Sequence, residues 1–129
     1  VTPLSQPELA RHVVRVTVAT LLLIHGLVRP LDGGVNGFGG FLASRGFPFG
    51  VALAWSITIF EITGALCLAI GRWVRIVASG HILILLGGIA LVHASEGWFV
   101  VGRGRNGVEY SVLLIACLVS VILSARPRT

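Results

Sequence analysis

Residues 76–95 form a run of twenty without a single Asp, Glu, Lys or Arg. As an α-helix such a run is about 30 Å long at 1.5 Å per residue, the thickness of a bilayer's hydrocarbon core. Nothing else constrains the chain so tightly, because a helix apolar all round must bury itself in lipid or deep inside a large protein, and a soluble bundle would need polar outer faces. Three more stretches are long enough if a charge is tolerated inside or at the margin: residues 10–31 with Arg15 and Arg29, 50–71 with Glu61, and 108–125 with Glu109. With the third span taken as 74–95, four spans fill the chain as a single transmembrane domain. Composition agrees: 12% of residues are charged, where soluble domains carry about 25%, and the mean hydropathy is +0.94. The expected fold is an all-α integral membrane four-helix bundle.

All ten basic residues are Arg, set against five acidic ones. A nucleic-acid interface would gather such cations on one solvated face. Instead Arg11, Arg15, Arg29, Arg72, Arg75, Arg103, Arg105, Arg126 and Arg128 stand at or just beyond the ends of apolar runs, where long cationic side chains reach headgroups. Membrane lipid, not nucleic acid, is the expected partner. An even number of spans puts both termini on one side. That side holds Arg11, Arg15, Arg72, Arg75, Arg126 and Arg128, six against the four of Arg29, Arg45, Arg103 and Arg105, so the positive-inside rule assigns both termini to the cytoplasm. The first span is similar to a signal peptide but lacks a small-x-small cleavage site, and is expected to remain as an uncleaved helix.

Residues 32–49 carry ten Gly and Phe in eighteen positions. No Gly-Lys-Ser/Thr follows and no strand precedes, so these glycines are not a phosphate loop. They predict a short interfacial or re-entrant segment between spans 1 and 2, closed by a turn at Gly46-Phe47-Pro48. In the third span Gly80, Gly87 and Ala94 recur every seven residues and predict a close-packed seam. Trp55, Trp73 and Trp98 suit interfacial anchors. Cys67 and Cys117 are isolated in different spans and read as small core residues, and no ligand spacing for a metal is present. His25 lies deeper than His93, which argues against a haem held between them. No intrinsic cofactor is expected.

An ionised side chain at mid-membrane costs about 2.5 to 3.5 kcal/mol on insertion scales, so it needs a partner or a function. Glu61 shares a helical stripe with Ala54, Thr58, Ala65 and Leu68 and should face the bundle, protonated or paired with Arg or His. A structural clamp and a site residue are both open readings. His25 and Arg29, four apart, share a face near the outer end of the first span. His93 lies at the outer end of the third, and Glu109 begins the fourth, on a stripe through Ala116 and Ser120 expected to face neighbours. His25, Arg29, His93 and Glu109 are therefore expected to converge in the outer leaflet with Glu61 below them, as a ligand-binding or proton-handling set. His81, nearer the cytoplasmic end, reads as structural.

These marks occur in an order that resembles the DoxX family of small four-span membrane proteins: His25-Gly26 with Arg29, Gly46-Phe47-Pro48, Glu61-Ile62-Thr63-Gly64, Gly71-Arg72 with Arg75, His93, Gly97-Trp98-Phe99 and Gly107-Val108-Glu109-Tyr110. The chain departs from the family pattern at Arg29, where Lys is frequent, at Val108, where an aromatic residue is common, and in its Arg126-Pro127-Arg128-Thr129 tail. The resemblance implies a bacterial inner-membrane bundle, and founding members are linked to subunits of a thiosulfate:quinone oxidoreductase or terminal oxidase. Two functions follow as expectations. One is an accessory subunit that presents its polar set to quinone beside other oxidoreductase subunits, since no electron carrier is visible in this chain. The other is a non-catalytic assembly or binding protein that scaffolds a larger membrane complex. Catalysis by the chain itself is left open.

Overall fold

The computed structural model describes residues 3–125, and the described residues contain helices and no strand. Helix α1 spans Gln6–Leu31, α2 Val35–Ser44, α3 Gly50–Ala69, α4 Val74–Leu91 and α5 Glu109–Ser124, with a short 3-10 turn at His93–Glu96 after α4. Helices α1, α3, α4 and α5 pack in a closed ring, α1 against α3, α3 against α4, α4 against α5 and α5 back against α1, while α2 lies on α3. The near end of the bundle holds the start of α1, the end of α5 and the α3–α4 turn. The far end holds α2 and the loop between α4 and α5.

Local signals account for the boundaries. Glu8 reaches back to accept the Ser5 N–H at 3.0 Å, a capping arrangement that starts α1. At the other end of α1, Gly33 turns the chain at φ +76 and the Asp32 carboxylate accepts the Gly34 N–H at 2.9 Å. Three of the ten residues of α2 are glycine, which costs about 1 kcal/mol each in helix propensity. The helix forms because Val35, Gly39 and Leu42 recur at helical spacing and bury one face with Ala54 of α3. A Cβ on Gly39 would lie 2.6 Å from the Val51 Cα, so α2 and α3 meet backbone to backbone. The interfacial segment expected between the first two spans is this helix. Its period was hidden by three glycines, of which Gly39 serves the contact with α3 while Gly37 and Gly40 face open space.

The core is narrow and the outside is apolar. Val18, Ala19 and Leu22 of α1, Ala65 and Leu68 of α3, Val77 and Ala78 of α4, and Leu114, Leu118 and Val121 of α5 form the central cluster. Outward, Leu83 is 70% exposed and Leu123 80%, a distribution that only lipid makes tolerable over so many residues. Helices α1, α3 and α4 are long and apolar enough to cross a bilayer; α5 is equally apolar but has 16 residues.

Two packing expectations are corrected. A Cβ on Gly87 would meet nothing within 4 Å, and Ala94 is exposed in the 3-10 turn, so Gly80, Gly87 and Ala94 are not a seam. The buried face of α4 is Val77, Ala78 and His81. A seven-residue repeat drifts relative to a straight helix, and α4 ends at Leu91, before the third repeat position. On α5, Ala116 and Ser120 are exposed while Ser111, Leu114, Leu118 and Val121 are buried. Apart from Ser111, the side chains that face the neighbours there are large.

Candidate functional site

Glu61 sits about midway along α3, in the stripe Ala54, Thr58, Glu61, Ala65 and Leu68 that is wholly buried. Opposite it on α1 stands Gly26. A Cβ there would lie 3.2 Å from both the Glu61 Cβ and the Ile62 Cγ1, so the glycine lets α1 come close at this level. One turn further along α1, Arg29 extends across. Its Nη1 donates to Glu61 Oε2 at 2.5 Å and to Thr58 Oγ1 at 2.9 Å. Thr58 can accept because its own hydroxyl proton goes to the Ala54 carbonyl at 2.8 Å. From α2, the Phe38 ring lies 4.4 Å below the guanidinium carbon. Three helices thus close on one cation, by ion pair, hydrogen bond and cation–π contact. Arg suits this better than Lys, because a planar fork can hold two oxygens and stack on a ring at once.

The same residue ties α3 to α4 through its backbone. His81, 1% exposed, places Nε2 3.3 Å from the Glu61 carbonyl oxygen and Nδ1 2.8 Å from that of Val77. Gly64 provides the room: a Cβ there would lie 2.7 Å from the His81 ring. His81 is held inside the bundle by these two contacts, and Glu61 carries a pairing with Arg, one of the partners expected for it.

The remaining candidates divide between two places. His25 is exposed and lines, with Leu21, Ile24, Arg29 and Tyr110 among others, a surface groove of about 500 Å³ at the far end. His93, which opens the 3-10 turn after α4, and Glu109, the first residue of α5, stand at the two ends of the connection between those helices. His93 Nδ1 lies 2.7 Å from the Asn106 carbonyl oxygen, and Glu109 Oε1 accepts the Val100 N–H at 2.7 Å. Backbone bonds from Gly107 to Phe99 and from Val108 to Gly97 close that loop further. Two participants escaped the sequence reading as partners: Phe38, hidden in a Gly/Phe tract, and Tyr110, noted only as part of a motif. Arg15 was another. It turns inward instead of toward headgroups, and Nη1 donates to the Leu68 and Ala69 carbonyls at 2.5 and 2.6 Å. Both carbonyls lie at the negative end of α3, where that of Leu68 otherwise accepts the Gly71 N–H of the following turn at 3.2 Å, and this favours a cation there.

A ring of apolar helices clamped by an internal ion pair, with large apolar side chains turned outward, defines a helical integral membrane protein. More narrowly, the DoxX family model matches residues 10–94, and the chain belongs to that family. The match takes in the Arg29–Glu61 pair and ends before the marks from Gly97 to Tyr110. The chain matches no curated protein and no solved structure.

Proposed function

We propose that the protein is an accessory membrane subunit of a quinone-linked oxidoreductase, set in a bacterial inner membrane with both termini in the cytoplasm, and that the groove at the far end receives the quinone head. The observation that carries this reading is the combination of groups in that groove. His25, Tyr110 and Arg29 line a trough of about 500 Å³ whose other walls are the apolar Leu21, Ile24 and Val28 and, at one end, Asp32, whose carboxylate accepts the Gly34 N–H; the volume is within the range of small-molecule sites. A quinone needs hydrogen-bond donors for its carbonyls and an apolar wall for its ring and tail, and enters from lipid. Glu61, His93 and Glu109 are occupied within the fold, which supports a subunit that positions a substrate for a partner carrying the electron-transfer chemistry.

Extraction of lipids from protein purified in mild detergent tests this. Quinone should be retained by the wild-type chain and lost in His25→Ala, whose exposed position leaves the bundle intact. A second reading, a non-catalytic scaffold for a larger complex, is favoured by the way Glu61, His93 and Glu109 are all spent on internal bonds. Co-purification of a membrane partner without quinone, unchanged in His25→Ala, would select it.

A further inference from the structure

At the near end, remote from the Arg29–Glu61 pair, the first turns of α1, the α3–α4 turn and the last turn of α5 enclose an open cavity of about 710 Å³. Arg11, His12, Arg15, Trp73, Arg75 and Ser124 line it. Glu8 lines it too, with its carboxylate engaged by Ser5, so three arginines stand against one acid. Two of the cations are fixed in place by the fold. Arg15 spends Nη1 on the two α3 carbonyls and one Nη2 proton on His12 Nδ1 at 3.0 Å, and Arg75 donates through Nη2 to the Ala125 carbonyl at 2.9 Å. A guanidinium has five N–H donors, so each retains donors for a further acceptor. Arg11 makes no ion pair among the described residues. Beside these cations the wall is apolar and open outward: Ile70 and Ile76 line the cavity and are largely exposed, and Trp73 is stacked by Arg72 at 4.8 Å. Preset cations above an apolar flank at the end of a transmembrane bundle match a phosphate head with acyl chains running down the helices.

We infer that this cleft is a binding site for the phosphate of an anionic phospholipid headgroup. Lipid is favoured over a soluble phosphate because the cations share the cavity with exposed isoleucines and an interfacial tryptophan, which a free anion would not use. The site is independent of any quinone groove at the other end.

The test uses the full chain in nanodiscs of phosphatidylcholine with a minor fraction of phosphatidylglycerol, with retained lipid read by native mass spectrometry. Phosphatidylglycerol should be retained in preference to phosphatidylcholine. The double variant Arg11→Gln/Arg75→Gln should weaken that preference about thirty-fold, from roughly five-fold for each cation near an anionic surface. Arg103→Gln/Arg105→Gln removes the same charge from the far-end loop and should retain lipid as the wild type does. Equal loss in both double variants would reduce the effect to bulk charge and overturn the site, as would an unchanged preference in Arg11→Gln/Arg75→Gln. Thermal stabilisation of the lipid-free, detergent-purified chain by inorganic phosphate, abolished by Arg11→Gln, would assign the cleft to a soluble anion and refute the lipid. If the double variant does not fold in pure phosphatidylcholine discs, Arg11→Gln alone, which removes no described hydrogen bond, should still weaken retention about five-fold.

Discussion

Replacing Glu61 by Leu should be the most damaging conservative-volume change in the protein, and the reason can be worked through. The side chains of Arg29 and Glu61 are 17% and 5% exposed, so the guanidinium cannot recover its lost partner from water. Thr58 and the Phe38 ring remain, but neither carries a charge. Removing one member of a buried pair costs about 3 to 5 kcal/mol, chiefly for the charge left behind. Glu61→Gln keeps an acceptor at the same place and loses the charge assistance, so it should cost about 1 to 2 kcal/mol, the gap between a charged and a neutral hydrogen bond. The double variant Arg29→Leu/Glu61→Leu strands nothing, and should lie closer to wild type than Glu61→Leu does. Reversible unfolding in mixed micelles gives the four free energies of the cycle, with an expected coupling of about 2 to 3 kcal/mol. Additive single effects would show that the pair is not coupled. A Glu61→Leu protein more stable than wild type would show that the carboxylate is a burden on the fold, and the clamp argument would fail.

Glycine positions give a paired contrast: Gly64→Ala drives a Cβ to 2.7 Å from the buried His81 ring and should lower the melting temperature, whereas Gly87→Ala enters open space and should leave it unchanged or raised. Glu109→Gln should speed hydrogen exchange at the Val100 amide, which Glu109 accepts at 2.7 Å, while amides in α3 keep their protection. For orientation, a Cys at exposed Ser44 should react with an impermeant thiol reagent in intact cells and one at Ser5 should not; the reverse pattern would invert the proposed topology.

How far the sequence could be read depended on whether a residue's role was set by its own helix or by a neighbour. Glu61 facing inward follows from its stripe alone, because Ala54, Thr58 and Ala65 recur with it at helical spacing and small residues mark close approach. Its partner was named only as Arg or His, since the sequence does not say which helix lies opposite. Gly26 was legible as part of a motif, but its purpose depends on the distance between α1 and α3. On α4 and α5 the small-residue rule failed. The packed faces there mix small and large side chains, Val77, Ala78 and His81 on α4 and Ser111, Leu114, Leu118 and Val121 on α5, and in a helix that is apolar all round no polar face remains to show which side is turned outward. Helix α2 was missed as a helix for a related reason: its glycines signal a loop by propensity, and only the presence of Val51 opposite Gly39 makes that one a packing residue.

A membrane bundle lacks the driving force that assembles a soluble one, because lipid solvates a leucine as well as another leucine does. What brings α1, α2 and α3 together must therefore be close contact and polar bonding. The structure puts both at one level, with Gly26 opening the approach and the Arg29, Glu61, Thr58 and Phe38 cluster closing it. Side chains committed in this way cannot also change partners freely during a reaction without loosening three helices. Exchangeable chemistry is therefore better placed where the fold does not depend on it, at exposed His25 and Tyr110 at the far end and in the arginine cleft at the near end. Substitutions should divide along the same line: changes in the cluster alter unfolding first, and changes at His25, Tyr110 or Arg11 alter what the purified protein carries while its unfolding stays the same.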